Sequence, residues 1–321
     1  MSKNTYNICG LSIKSDIPIP QLSPADGKEA DYAFKVLTTG STPVCRWKRH
    51  FILPNGKPWM SVGGRDTDFH LRFSKLAYFR VSGSEKEICC YCKSDIPLQS
   101  IVHLFLDMVV PLLLSQQDRM VLHAGAVMIS GKIIAFLGGT GQGKSSITAS
   151  FGQKGFAVVT DDCLVVEDTE RHHICTPLYP GVRLWPDAVL ALFGDDLSLP
   201  AAAHYTDKRR LGPEKGLLSF CPEPGPLDRI YVLSPQQKKK DNRTITIDPL
   251  APREAFMELV KYPYRLGLNP REKLRGEFQT LGRLVNSLAV RRICFPRDYA
   301  LLPDVHEAIL ADLNTGVRGP Q

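Results

Sequence analysis

Between residues 32 and 92 apolar and polar positions alternate, as where Phe69, Leu71 and Phe73 fall on one side and Asp68, His70 and Arg72 on the other. A period of two belongs to a half-buried strand, so this region predicts antiparallel strands with one wetted face. Gly63-Gly64 and the run SGSEKE supply turns between them. From Pro97 the period changes. Ile101, Leu104, Phe105 and Met108 recur at three- and four-residue steps, which predicts a linking helix running toward Pro111. Beyond it GKIIAFLGG and FAVVT are unbroken apolar runs, the mark of strands buried on both faces. Helical spacing returns in Phe278, Leu281, Leu284, Val285 and Leu288, and again in Val305, Ile309 and Leu313. The pattern divides the chain near residue 118 into a β-rich N-terminal domain with a linking helix, 1–117, and an α/β domain, 118–321.

Composition narrows this picture without changing it. At 321 residues the chain exceeds the usual size of a single core, and 43% hydrophobic with 23% charged residues is the balance of an ordinary globular protein. Forty basic against 33 acidic residues leave a net charge of +7, which suits an anionic ligand or an acidic partner and does not call for nucleic acid. The dense cluster Lys238 to Lys240 lies between strand-like runs and is expected to be a solvated hairpin tip. The opening MSKNTYNICG lacks the apolar core of a signal peptide. The longest apolar stretch, IVHLFLDMVVPLLL, is short and broken by His103, Asp107 and Pro111, so no membrane span is expected. Nine scattered cysteines argue for reduced thiols in the cytoplasm. In CCYC at 89–92 a strand would point Cys90 and Cys92 one way and Cys89 the other, with no second pair to close a zinc site.

The chemistry is concentrated in GGTGQGKSS, Gly138 to Ser146, which fits the phosphate-binding pattern G-x-x-x-x-G-K-[ST] at Gly138, Gly143, Lys144 and Ser145. A strand precedes it and a helix follows. Amides around Gly138, Gly139, Thr140, Gly141, Gln142, Gly143 and Ser146 can face one anion, and the helix N-terminus adds partial positive charge. Lys144 supplies a full charge to the outer phosphates, and the Ser145 hydroxyl is of the kind that binds a bridging magnesium ion. Ser146, Thr148 and Ser150 are expected on an exposed helix face.

Sixteen positions after Ser145 comes Asp161, followed by Asp162. The interval holds about two and a half helical turns, a turn at Gly155 and one short strand. The pair is therefore expected back at the mouth of the loop, at the carboxyl end of the neighbouring strand. One carboxylate could hold magnesium while the other accepts a proton from an attacking hydroxyl; an acidic pair that only caps the strand is the plain alternative. His123, on the strand-like run before the loop, reads either as a core histidine or as part of this site.

Three elements at these intervals resemble the HPr kinase/phosphorylase family and its relatives: His123 twenty-one positions before Lys144, the loop, and the Asp-Asp pair. About forty contiguous residues carry the likeness. PGVRLWPDAV from Pro180, DKR from Asp207 and LDRIYVL from Leu227 extend it more weakly, and YNICGLSIKSDIPIPQL resembles the start of the relatives. The resemblance implies a P-loop kinase domain of the HPr kinase/phosphoenolpyruvate carboxykinase type after the β-rich N-terminal domain, using ATP and Mg2+. It implies Asp161 as general base supported by His123, Asp162 near the metal, and Arg183 and Lys208 toward the phosphates or the acceptor. The glycine-rich signature of the bifunctional enzymes is replaced by RLWPDA, which argues against phosphorolysis and against HPr as the acceptor.

Relatives of this kind phosphorylate the C-terminal serine of a lasso-peptide precursor, so the specific expectation is a serine kinase acting on a peptide or small protein. Self-association is implied by the same resemblance, and neither nucleic acid nor membrane is an expected partner. The β-rich domain could add a peptide as an extra strand or serve as a structural module. Three rivals stay open: an HPr-type protein serine kinase, a carboxykinase-like enzyme for a small metabolite, and a regulator that binds nucleotide without passing on the phosphate.

Overall fold

In the computed structural model residues 4–25, 29–38, 40–169, 172–235, 244–268 and 271–315 are described. The chain forms two units: Met1–Arg119 with Ala203–Tyr205 and Tyr264–Gly276, and Met120–Ala202 with Thr206–Pro263 and Glu277–Gln321. Two short stretches from late in the sequence thus belong to the first unit. Lys238 to Lys240 lies outside the described residues.

The first unit is built on eight strands: β1 (Asn4–Ile8), β2 (Leu11–Ser15), β3 (Tyr32–Leu37), β4 (Trp47–Ile52), β5 (Pro58–Arg65), β6 (Asp68–Phe73), β7 (Ala77–Ser82) and β8 (Glu87–Cys92). They form one sheet in the order β1-β2-β3-β8-β7-β6-β5-β4. Pairing is antiparallel except for β2 with β3 and β3 with β8. The period-two expectation holds in β6, where Phe69, Leu71 and Phe73 are buried while Asp68 and Arg72 are exposed.

Against this sheet Phe105 stacks on Phe34 at 4.1 Å. Phe105 belongs to a helix that does not stop at Pro111. It continues as α1 (Leu98–Leu104), a π turn (Phe105–Val109) and α2 (Val110–Gln116). Proline lacks an N–H, and its ring crowds the carbonyl four residues back. The wider π turn just before it, in which the Val110 N–H donates to the Phe105 carbonyl, lets the helix pass through. The helix from Leu98 to Gln116 is long and apolar enough to span a membrane by length and composition alone, and 78% of its apolar window is buried inside the structure.

The second unit contains β9 (Met120–Ile129), β10 (Lys132–Leu137), β11 (Ala157–Thr160), β12 (Cys163–Asp168), β13 (His173–Pro177), β14 (Val182–Leu184), β15 (Arg209–Leu211), β16 (Gly225–Pro235), β17 (Thr246–Pro249) and β18 (Ala289–Phe295). Its helices are α3 (Lys144–Gln153), α4 (Pro186–Phe193), α5 (Pro252–Leu259), α6 (Arg271–Ser287), which begins in the first unit, and α7 (Leu302–Asn314). The large sheet is mixed: β10 lies between β9, antiparallel, and β16, parallel, while β14 and β15 form a separate ribbon. The unbroken apolar run in β10 has its cause in two covered faces. Ile133, Ala135 and Leu137 share a core with Leu259 of α5 and with Leu281 and Leu284 of α6. Ile134 and Phe136 share another with Ile147 and Phe151 of α3 and with Val305 and Ile309 of α7. Each such large aliphatic or aromatic side chain contributes about 1.5–3 kcal/mol on burial, so the strand that ends in the glycine-rich loop is firmly held.

Candidate functional site

Because β10 ends at Leu137 and Lys144 opens α3, Gly138 to Gly143 is a turn between a buried strand and a helix. Gly141 and Gly143 have φ of 75° and 98°, left-handed values that glycine adopts without steric cost. No side chain caps α3, so its first amides are oriented as in an anion site. Lys144 is buried, and its ammonium donates to the carbonyls of Gly138 at 2.7 Å and Gly139 at 3.3 Å. Burial pulls its pKa below the usual lysine value, with Asp162 and Asp161 opposing.

Gly139 departs from the expectation that the loop amides all face one anion. Its N–H donates to Gln142 Oε1, while Gln142 N donates to the Gly139 carbonyl at 3.1 Å, so the glutamine braces the loop from within. Thr140 is exposed at the tip, and Ser145 stands partly exposed at the second position of α3. The Ser146 side chain bonds to Tyr299, whose hydroxyl donates to Asp187 Oδ2 at 2.9 Å.

Register places the aspartates. Asp161 and Asp162 do follow β11, but β11 pairs with β9 and not with β10; the strand carrying His123 runs between them. Thr160 pairs with Ala126 and Cys163 with His123, so Asp161 and Asp162 stand opposite Gly125 and Ala124. On the far side of β9 the same two residues pair with Phe136 and Leu137, the last residues before the loop. The Ala124 N–H donates to the Asp162 carbonyl at 3.1 Å. In an unbroken strand adjacent side chains would point to opposite faces. Here the chain bends at 161–162, and both carboxylates feel Arg183 and Lys208.

The two carboxylates differ in their partners. Asp161 is 3% exposed; its Oδ2 accepts from Arg183 N at 2.9 Å, and its Oδ1 has no hydrogen-bond partner among the described residues. Burial first, and then the charge of Asp162, push its pKa above the usual carboxylate range. Burial acts on Asp162 in the same direction but is outweighed by Arg183, whose Nη2 pairs with Asp162 Oδ2, together with Lys208 and Lys144. Asp162 therefore stays ionised, and its charge helps to keep its neighbour basic. His123 is held mainly neutral by burial, with the three cations adding to that effect and Asp162 opposing it. Its backbone N–H donates to the Tyr262 carbonyl at 2.9 Å.

The structure thus brings together Lys144, His123, Asp161, Asp162, Arg183 and Lys208, which are scattered over some 85 positions (208 − 123). Arg183 lies in β14 and pairs in register with Arg210 of β15; Lys208 precedes β15, its ammonium 5.8 Å from the centre of the Trp185 ring. Sequence reasoning missed two supports. A Cβ on Gly125 would come within 2.3 Å of Thr148 Oγ1, so glycine there lets α3, and with it the loop, sit directly on the strand opposite Asp161. Thr148 and Ser150 are accordingly buried, not on an exposed helix face, and Ser150 Oγ meets His306 Nε2 at 2.5 Å. The glycine in HAGA was the only signal available. The second support is the Ser146–Tyr299–Asp187 chain, for which the sequence carries no signal.

Magnesium takes one or two carboxylates together with substrate phosphates and water, not a protein cage. Among the described residues no group of three or more His, Cys, Asp or Glu side chains forms such a cage. Ser145 and Asp162 offer hard oxygens of the required kind beside a loop built for phosphate, so the donor set fits that ion.

No family model and no curated protein matches the sequence. Among solved structures the chain is similar to the HPr(Ser) kinase/phosphatase from Coxiella burnetii, at 14% identity and a TM-score of 0.32, over 61% of this chain and 96% of that one.

Proposed function

We propose that the protein is a P-loop serine kinase that transfers the γ-phosphoryl group of ATP to a hydroxyl of a peptide or small protein. The observation that carries this reading is the buried carboxylate of Asp161, with one oxygen unpartnered and its basicity raised, set level with the last residues before a glycine-rich anion loop. A residue that only capped a strand would have both oxygens hydrogen-bonded or in water.

In this reading the amides of the loop and of the first turn of α3 hold the phosphates, and the Lys144 ammonium lies against the same loop. Ser145 and Asp162 are the residues that would hold magnesium, which when bound neutralises phosphate charge. Arg183 locks the pair: its backbone N–H fixes Asp161 Oδ2, and its guanidinium holds Asp162 ionised. The incoming serine oxygen forms the new P–O bond as the bond to ADP breaks, and its proton passes to Asp161 Oδ1. His123 sits beside the pair, and burial lowers its basicity, so it competes weakly for that proton. The narrower form of the proposal, that the acceptor is the C-terminal serine of a lasso-peptide precursor, is supported by the sequence resemblance at His123, the loop and the Asp pair.

Incubation with γ-labelled ATP, magnesium and serine peptides tests the reading. Label on peptide serine supports it. Label that stays on bound nucleotide identifies a regulator, and label on a small carboxylic acid identifies a carboxykinase-like enzyme. Lys144→Ala is expected to weaken both nucleotide binding and transfer.

A further inference from the structure

We infer that Trp185 selects the acceptor: its ring is the wall against which the side chain next to the phosphorylated serine lies, so the preferred substrates carry an aromatic or large apolar residue beside that serine. This rests on the kinase reading above and names the acceptor class it serves.

Three observations converge on Trp185. First, it is 49% exposed, unusual for the largest apolar side chain when it stands in a cluster of buried charged groups. Second, it is next to the chemistry. The Lys208 ammonium lies 5.8 Å from the ring centre, within cation–π reach, and the same ammonium acts electrostatically on Asp161, Asp162, His123 and Lys144. The proposed base is also tied directly to the segment that carries the ring, Asp161 Oδ2 accepting at 2.9 Å from the Arg183 amide two residues before it. An extended peptide advances about 3.3 Å per residue, so a chain that places its hydroxyl at Asp161 brings a residue one or two positions away to the ring.

Third, the backbone that carries the ring is fixed before any ligand arrives. Trp185 directly follows β14, whose last residue, Leu184, pairs with Arg209, the residue after Lys208. Trp185 N-caps α4, its carbonyl accepting from Val189 N at 3.0 Å. Two residues on, Asp187 is tied through Tyr299 to Ser146 in the first turn of α3. The segment that carries the ring is therefore tied to the first turn of α3 through the Asp187, Tyr299 and Ser146 side chains. An aromatic side chain on a fixed backbone adds affinity with little ordering cost.

The test uses the full chain, ATP and magnesium, with serine peptides that differ only in the residues flanking serine: alanine, leucine, phenylalanine or tryptophan. Wild type is expected to favour the aromatic and leucine peptides over alanine by about tenfold in kcat/KM. Trp185→Ala is expected to compress that preference to about twofold, and Trp185→Phe to retain most of it. ATP affinity, measured by equilibrium dialysis, is expected to stay unchanged in both variants. Even phosphorylation of the panel by wild type, or a preference that survives Trp185→Ala, overturns the inference and leaves the kinase reading standing. Loss of ATP affinity in Trp185→Ala overturns it by assigning the ring to the nucleobase. If wild type phosphorylates no peptide, the kinase reading fails and takes this inference with it.

Discussion

The two ends of β12 bring carboxylate, imidazole and hydroxyl groups together with opposite results. At its start stand Asp161 and Asp162, with His123 across the sheet. At its end Asp168 approaches His173 Nδ1 at 3.2 Å, and His173 Nε2 lies 2.6 Å from Ser287 Oγ. By distance alone this second set is a nucleophile, a base and an orienting acid in line. The hydrogen-bond partners of Ser287 say otherwise. The Ser287 hydroxyl donates to the Arg283 carbonyl at 2.8 Å, so its oxygen accepts from Nε2–H, and the imidazole lacks the lone pair that a general base needs there. His173 Nδ1 and the carboxylate are close without hydrogen-bond geometry, and Asp168 is drawn to the exposed Arg283 instead. That end ties the β12–β13 hairpin to the last turn of α6. What separates the two ends is basicity: burial raises it at Asp161, whose Oδ1 is unpartnered among the described residues, and lowers it at His173.

The sharpest way to break the contrast is to neutralise one carboxylate at each end. Asp161→Asn is expected to lower phosphoryl transfer by about 10³-fold with nucleotide affinity intact, whereas Asp168→Asn leaves transfer within about twofold. Equal activity of Asp161→Asn and wild type removes that aspartate from the mechanism.

Next in size is Gly125→Ala. The added methyl has to displace Thr148 or lift α3, at a cost of about 1–3 kcal/mol by urea unfolding. Adding Thr148→Ala, which removes the clashing oxygen, is expected to recover part of that loss.

Asp161→Asn has a second readout, in stability. The folded protein raises the pKa of this group, so its contribution is most favourable below the ordinary carboxylate range and is lost as pH rises through the raised folded value. At neutral pH the asparagine variant is therefore expected to be more stable than wild type, on the order of 1–3 kcal/mol, with the gap closing in acid. A variant that is less stable at pH 7 would show that the fold does not disfavour the ionised form.

The smallest expected effect is at the other end. Ser287→Ala is expected to cost about 1 kcal/mol and to leave transfer unchanged. His173, whose pKa burial lowers against the pull of Asp168, works in the reverse sense to Asp161. Its stabilising contribution is present at neutral pH and lost as pH falls from the ordinary histidine value through the lowered folded one. Thermal unfolding of His173→Gln across that range is expected to show weaker acid sensitivity than wild type.

Parts of this molecule were legible because their causes are contiguous. The glycines, lysine and serine of 138–146 make their turn and helix start from neighbouring residues alone, and the run in β10 announces two buried faces. The alternation in β6 is local in the same way. Where a distant residue decides the outcome, local reading failed. Pro111 should have stopped a helix, but a π turn and packing on Phe34 carry the helix past it. Thr148 and Ser150 look like solvated helix positions, yet they are buried because Gly125 lets the strand approach and His306 supplies a partner.

By itself, then, the amino-acid order determined that a strand, a phosphate-type turn and a helix follow one another, and that two adjacent carboxylates return after one further strand. Only the tertiary structure decided that β9 separates that strand from β10, that a bend turns both carboxylates toward Arg183 and Lys208, and that one oxygen of Asp161 is left without a partner. The reason is physical: backbone conformation responds to neighbours within a few residues, whereas burial, hydrogen-bond satisfaction and pKa depend on groups that sheet register brings together from far along the chain.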